Sequence, residues 1–61
     1  MNLAEAMIQL RELTNLALDD MPIDEEDAIE LLTIVYPTMC HDDRRDCWRF
    51  GVEMARAEAD R

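Results

Sequence analysis

The sequence predicts an all-α fold, and three observations support that prediction. One glycine and two prolines in 61 residues leave little material for hairpins or long loops. Hydrophobic residues make up 49% of the chain, and residue types that favour helices are frequent among the rest. Apolar residues also recur at steps of three and four. We therefore expect a single domain, 1–61, with three short helices at about 2–19, 24–36 and 42–59 in an antiparallel bundle.

The first predicted helix begins at Asn2, whose side chain can cap it, with Glu5 three residues further on. It should end near Asp19, because acidic side chains are unfavourable at the negative C-terminal end of a helix. Ile8 and Leu18 fall outside its main apolar stripe and make the apolar surface broad. The predicted inner stripe consists of Leu3, Ala6, Met7, Leu10, Leu13 and Ala17.

The second predicted helix has an acidic start and an apolar body that both neighbouring helices should cover. Asp24 is its expected N-cap, and Pro37 should end it because the residue before a proline is displaced from the α region. The preceding turn and the helix start contain seven acids and no base: Asp19, Asp20, Asp24, Glu25, Glu26, Asp27 and Glu30. The inner stripe is predicted to be Ala28, Leu31, Leu32 and Val35, flanked by Ile29 and Ile34.

The third predicted helix follows a short turn, with Thr38 or Asp42 as its cap. Gly51 lies in its interior, where glycine costs about 1 kcal/mol relative to alanine. We therefore expect another helix to approach Gly51 closely, or the Trp48 ring to need the space. The predicted apolar side consists of Cys47, Trp48, Gly51, Met54 and Ala55 with Glu58 at its end, and Phe50 and Val52 widen it.

The small size of the chain favours association with a second copy. A chain of about 60 residues buries only about 60% of the surface that its unfolded form exposes. The apolar arcs of the first and third helices are wider than such a monomer can hide. We therefore expect a homodimer.

The formal net charge of −9 limits the classes of partner. An acidic surface repels nucleic-acid phosphates and anionic membranes, so we expect neither direct nucleic-acid binding nor membrane binding. A helix-turn-helix outline is present, but two acids, Asp42 and Asp43, begin the third helix, where a recognition helix would face DNA. The start of the chain resembles no secretory signal, and two cysteines without such a signal indicate reduced thiols in a cytoplasm.

No constellation of residues indicates catalysis or a bound cofactor. Cys40, His41 and Cys47 could suggest a metal site, but a structural zinc site needs four ligands. Two helical turns, about 10 Å, separate the cysteines, and neighbouring acids disfavour a thiolate nucleophile. We therefore expect a protein without enzymatic activity, metal ion or cofactor.

Two surfaces are candidates for binding a protein partner. One is the acidic turn of Asp24, Glu25, Glu26 and Asp27, and the other is a tryptophan–arginine face of Arg44, Arg45, Trp48 and Arg49. The acidic turn of one copy could also meet the arginine face of a second copy in a symmetric dimer. A simpler interpretation makes the acids a solvated helix start and Trp48 a core residue.

The chain as a whole, acidic and poor in glycine, opens Met-Asn-Leu-Ala-Glu-Ala and closes with an Ala-Arg-Ala-Glu-Ala-Asp-Arg segment. In character it resembles the small early-region proteins of lambdoid bacteriophages, of the kind encoded between exonuclease and excisionase. The resemblance implies a protein made early in infection that acts in the host cytoplasm by binding a host or phage regulator. The alternative is an acidic nucleic-acid mimic that occupies the basic surface of a DNA- or RNA-binding protein.

Overall fold

A computed structural model, which describes residues 1–60, contains three α-helices and no β-strand within those residues. The helices are α1 (Leu3–Leu18), α2 (Glu25–Val35) and α3 (His41–Ala59). The all-α prediction is confirmed, and each predicted boundary differs from the observed one by a single residue at most. Within the same residues, no helix is both long and apolar enough to cross a membrane.

Side-chain caps begin the first two helices as the sequence predicts. Asn2 Oδ1 accepts a hydrogen bond of 2.8 Å from the backbone N–H of Glu5, and Asp24 Oδ1 accepts one of 3.0 Å from that of Glu26. The predicted cap of α3 is wrong, because its N-cap residue is Cys40 and no side chain caps the helix there. The acids in the first turn of α3 complement the positive end of the helix dipole instead.

A backbone motif, rather than charge alone, ends α1. Asp20 adopts a positive φ of 58°, in the left-handed region. The N–H of Met21 donates to the carbonyl of Leu16 (3.0 Å) and the N–H of Asp20 to that of Ala17 (3.2 Å), which is the pattern of a Schellman motif. Arg56 of α3 also donates to the Ala17 carbonyl (3.1 Å), so the end of α1 is tied to α3.

The core is small, and α2 supplies most of it. The buried hydrophobic residues are Ala6, Ala28, Ile29, Leu31, Leu32 and Trp48. Ala28 and Leu32 form one cluster with Trp48 of α3, and partly buried residues of α1 and α3, together with Ile23, pack against that cluster. The apolar body of α2 is therefore covered from both sides, as predicted. Ile29, predicted as a flank, is buried.

Several residues predicted to face inward are instead exposed. Leu3 is 53% exposed and Met7 56% on α1, and Met54 is 50% exposed on α3. The reason is length: α2 has 11 residues, whereas α1 has 16 and α3 has 19. At about 1.5 Å of rise per residue, α2 is too short to cover its two neighbours from end to end.

We predict that Leu32→Ala lowers the free energy of unfolding by about 2–5 kcal/mol, because it opens a cavity beside Trp48 in a core with few members. Urea denaturation followed by circular dichroism measures this loss. The matched control is Ile8→Ala, at a position that is 59% exposed, which should change stability by less than about 0.5 kcal/mol. Equal losses in both variants would contradict the observed core.

Candidate functional site

The two charged surfaces predicted from the sequence meet each other within one chain. Arg49 Nε donates to Glu25 Oε2 and Arg49 Nη2 donates to Glu25 Oε1, both at 3.1 Å, so the ion pair is bidentate. The hydrogen bond to Glu25, and then the charge of its carboxylate, raise the pKa of Arg49 above its ordinary value. The contact that the sequence placed between two copies is thus made here between α2 and α3 of the same copy.

The other members of the acidic turn also have roles inside the chain. Asp24 caps α2, and Glu26 Oε2 lies 3.3 Å from His41 Nε2 at the start of α3. Asp27 lines a shallow recess between α1 and α2. The turn therefore fixes the start of α2 against α3, and only part of its charge is left unpaired.

The remaining arginines of the predicted face hold the end of α2 and the start of α3. Arg44 donates to the backbone carbonyls of Tyr36 (3.3 Å) and Pro37 (3.2 Å), just after the last turn of α2. Arg45 Nη2 lies 3.5 Å from Asp42 Oδ1 one turn earlier, the usual geometry of an ion pair three residues apart on a helix. Both ends of α2 thus contact the first half of α3.

Trp48, predicted as a possible anchor for a partner, is only 8% exposed and belongs to the core cluster. The core interpretation is therefore the one that the structure favours. Trp48 also lines the apolar groove described next.

An apolar groove of about 280 Å³ lies between α1 and α3, at the C-terminal end of α2. Its lining residues are Met7, Leu10, Thr14, Leu32, Val35, Tyr36, Cys47, Trp48 and Gly51, and none of them is charged. Sequence reasoning missed this site because it had both neighbouring helices cover α2 and assigned the remaining apolar surface of the first and third helices to a second copy. The signal that could have found it is the difference in predicted length between the second helix and its neighbours.

Exposed apolar side chains border the groove on α3. Phe50 is 63% exposed, and Met54, four residues further on, is 50% exposed. Phe50 lies three residues after Cys47 and Met54 three residues after Gly51, so each is a surface neighbour of one residue that lines the groove, and Phe50 faces away from the core residues of α3. The apolar surface therefore continues beyond the groove itself.

Gly51 has no packing partner in the chain. A Cβ atom built there would meet nothing within 4 Å. The prediction that another helix of the bundle approaches Gly51, or that the Trp48 ring needs its space, is therefore wrong. The glycine leaves the groove open at a cost to α3 of about 1 kcal/mol relative to alanine.

Neither cysteine forms a site with its neighbours. Cys40 is an exposed free thiol, and Cys47 is a half-buried free thiol in the groove wall. Within residues 1–60, no group of three or more histidine, cysteine or acidic side chains is placed to hold a metal ion.

Fold and surface together define an all-α, three-helix protein with ion pairs between α2 and α3 and an uncharged groove between α1 and α3. Comparison of the chain with known protein families, with curated proteins and with solved structures finds no match.

We predict that Gly51→Ala raises the free energy of unfolding by about 1 kcal/mol in dilute solution, because the added methyl group meets no atom and alanine favours the helix. Urea denaturation measures the change. Ala57→Gly, at an exposed position of the same helix, should lower stability by a similar amount. A loss of stability in Gly51→Ala would show that the space beside Gly51 is filled within a single chain.

Proposed function

We propose that this chain is a non-enzymatic protein-interaction module that binds another polypeptide chain through the groove between α1 and α3. The observation that carries the proposal is the distribution of apolar side chains. Ten large hydrophobic residues are exposed in the part of the chain that the structure describes, whereas only four large ones, Ile29, Leu31, Leu32 and Trp48, are buried there. The exposed residues are Met1, Leu3, Met7, Ile8, Leu16, Met21, Ile34, Tyr36, Phe50 and Met54.

The accessible surface area supports the same proposal. It amounts to 4536 Å², whereas a compact monomer of this mass is expected to expose about 4,100 Å². The exposed residues above, which include two aromatic rings and four methionines, contribute apolar area to this surface. Apolar surface that one chain leaves uncovered is characteristic of protein-binding sites.

The chemistry of the groove suits an apolar side chain from a partner. Met7 at its wall is unbranched and flexible, so it can adjust to the shape of what enters. The Tyr36 side chain, 45% exposed, offers an apolar ring with a polar hydroxyl at the rim. Such a surface fits the mode of recognition in which apolar anchors of one segment enter a hydrophobic groove of another.

The alternative, an acidic mimic of nucleic acid, has weaker support. It requires carboxylates that are free to meet a basic surface, and the net charge of −9 favours it. Glu25 and Glu26 are however engaged with Arg49 and His41 of the same chain, and Asp24 caps α2. Fewer charges therefore remain for a partner than the sequence suggests.

The proposal also covers how the three helices are arranged and where in the cell the protein acts. Short connections at residues 19–24 and 36–40 favour antiparallel neighbours, so we infer an antiparallel bundle formed by a single domain. By its resemblance to the early-region proteins of lambdoid phages, the module would act in the host cytoplasm on a host or phage regulator.

We predict that tagged wild-type chain retains a specific protein from an extract of its native host at high salt, and that Met54→Glu does not. The charge would lie at the edge of the apolar groove and would have to lose its hydration on binding. Ile8→Glu adds the same charge at a similarly exposed apolar position outside the groove lining, and it should retain the protein.

The same retention experiment distinguishes the groove proposal from the acidic-mimic alternative. A variant with Asp24→Asn, Glu25→Gln, Glu26→Gln and Asp27→Asn keeps an N-cap residue on α2 while removing four charges. The groove proposal predicts that this variant still retains the protein at high salt. Loss of binding in this variant only, together with binding that weakens steeply as salt rises, would support the mimic instead.

A further inference from the structure

We propose that the outer face of α3, which consists of Phe50 with Asp43, Asp46, Glu53 and Met54 around it, binds an arginine-bearing segment of a partner protein. An arginine guanidinium of the partner lies over the Phe50 ring and pairs with a carboxylate beside it. This surface lies next to the groove, and the inference does not depend on what the groove binds.

Phe50 is directed away from the helices of its own chain. At about 100° of turn per residue, Phe50 lies about 160° around α3 from both Trp48 and Val52, which pack in the core. Its exposed fraction of 63% is the highest of any large hydrophobic residue in the part of the chain that the structure describes. Met54, one turn further on, is 50% exposed. The outer face of α3 therefore presents an aromatic ring and a methionine to a partner.

The charges around Phe50 are all negative. Asp46 lies four residues before Phe50 and Glu53 three residues after it, so one carboxylate stands about one turn away on each side of the ring. Asp43 lies one turn before Asp46. These three acids are exposed, and none of them forms an ion pair with another residue of the range 1–60. Their charge is therefore available to a cation from outside the chain.

The arginines of α3 do not neutralise this face, because they contact other groups. Arg49 makes its bidentate pair with Glu25 of α2, and Arg56 donates to the Ala17 carbonyl at the end of α1. Arg44 donates to the carbonyls that follow α2, and the fourth arginine pairs with an acid in the first turn of α3. Most of the positive charge of α3 is thus directed towards the chain's own helices, whereas its outer face carries only acids.

Arginine is the cation that suits an aromatic ring between carboxylates. Its planar guanidinium can stack on the ring while its N–H groups donate to a carboxylate in pairs, and it is more weakly hydrated than the ammonium group of lysine. Its methylene stem can lie on Met54. The carboxylates repel nucleic acids and anionic membranes, and a second copy of net charge −9 would bring like charges to the face.

Isothermal titration calorimetry with synthetic peptides tests the inference. The probe is a short helical peptide with arginine and leucine along one face, and the control peptide carries citrulline at each arginine position, which keeps the shape and removes the charge. The wild-type chain should bind the arginine peptide at least about tenfold more tightly, and the difference should shrink as salt rises. Equal binding of both peptides, or no binding of the arginine peptide up to about millimolar concentration, would overturn the proposal.

Variants of the chain test the surface that the peptide occupies. Phe50→Leu keeps an apolar side chain but removes the ring, and it should weaken binding of the arginine peptide about three- to tenfold. The double variant Asp46→Asn and Glu53→Gln should weaken it about tenfold. Glu5→Gln with Glu12→Gln removes the same charge from exposed positions of α1 and should change it by less than about threefold. Equal losses in the two double variants would show attraction by net charge alone and would contradict the inference.

A second readout distinguishes the outer face of α3 from the groove. Phe50 is the only phenylalanine of the chain, so nuclear Overhauser signals between its ring and the δ-protons of a peptide arginine are assigned directly. These signals are expected in the bound state. Gly51→Leu fills the groove and should leave the affinity for the arginine peptide within about threefold. Loss of binding in Gly51→Leu, or a bound peptide without signals to the Phe50 ring, would place the peptide elsewhere and overturn the inference.

Sedimentation equilibrium tests whether a second copy occupies the face instead. A single chain of 7.1 kDa is expected at the concentrations used for calorimetry. A two-chain species whose association constant falls at least about tenfold in Phe50→Leu would make a second copy the occupant and would overturn the inference. Circular dichroism confirms that each variant remains helical. Phe50 lies outside the groove lining, so failure of this inference leaves the proposed use of the groove intact.

Discussion

A helix of 11 residues has to cover two helices of 16 and 19, and this mismatch in length determines the rest of the structure. Four of the six buried residues belong to α2, because α2 is the element that both of its neighbours pack against. Beyond the C-terminal end of α2, no residue of α2 fills the space between α1 and α3. The groove beside Val35 and Tyr36 is the direct consequence, and Met7 and Met54 are exposed for the same reason.

The charged residues keep α2 in the position that leaves the groove open. Glu25 and Glu26 contact α3 from the start of α2, and Arg44 contacts the carbonyls that follow its end. Each of these contacts is exposed, so each stabilises the chain only slightly, and their common effect is to orient α2. The acidic and arginine-rich surfaces that look like two binding sites in the sequence thus contact each other within the chain, and the apolar groove lies elsewhere.

The sequence predicts the local structure of this protein well, because the signals are local. Asn2 and Asp24 cap their helices as expected, and Pro37 follows the end of α2. The packing of the helices against one another was predicted less well. Periodicity shows which face of a helix is apolar, but it does not show how far a neighbour extends along that face. Leu3 was for this reason placed in the core. The partner of Arg49, 24 residues away along the chain, could not be inferred from helical spacing at all.

The central claim is that the groove is open in a single chain and is covered when another chain binds. Methyl NMR with a soluble paramagnetic probe tests it directly, because methionines lie both at the groove and away from it. The methyl signals of Met7 and Met54 should broaden in the free chain and become protected when the protein that the groove retains is added. That of Met21, 53% exposed and outside the groove lining, should broaden throughout. Equal broadening of all three methyl signals both with and without the bound protein would contradict the account.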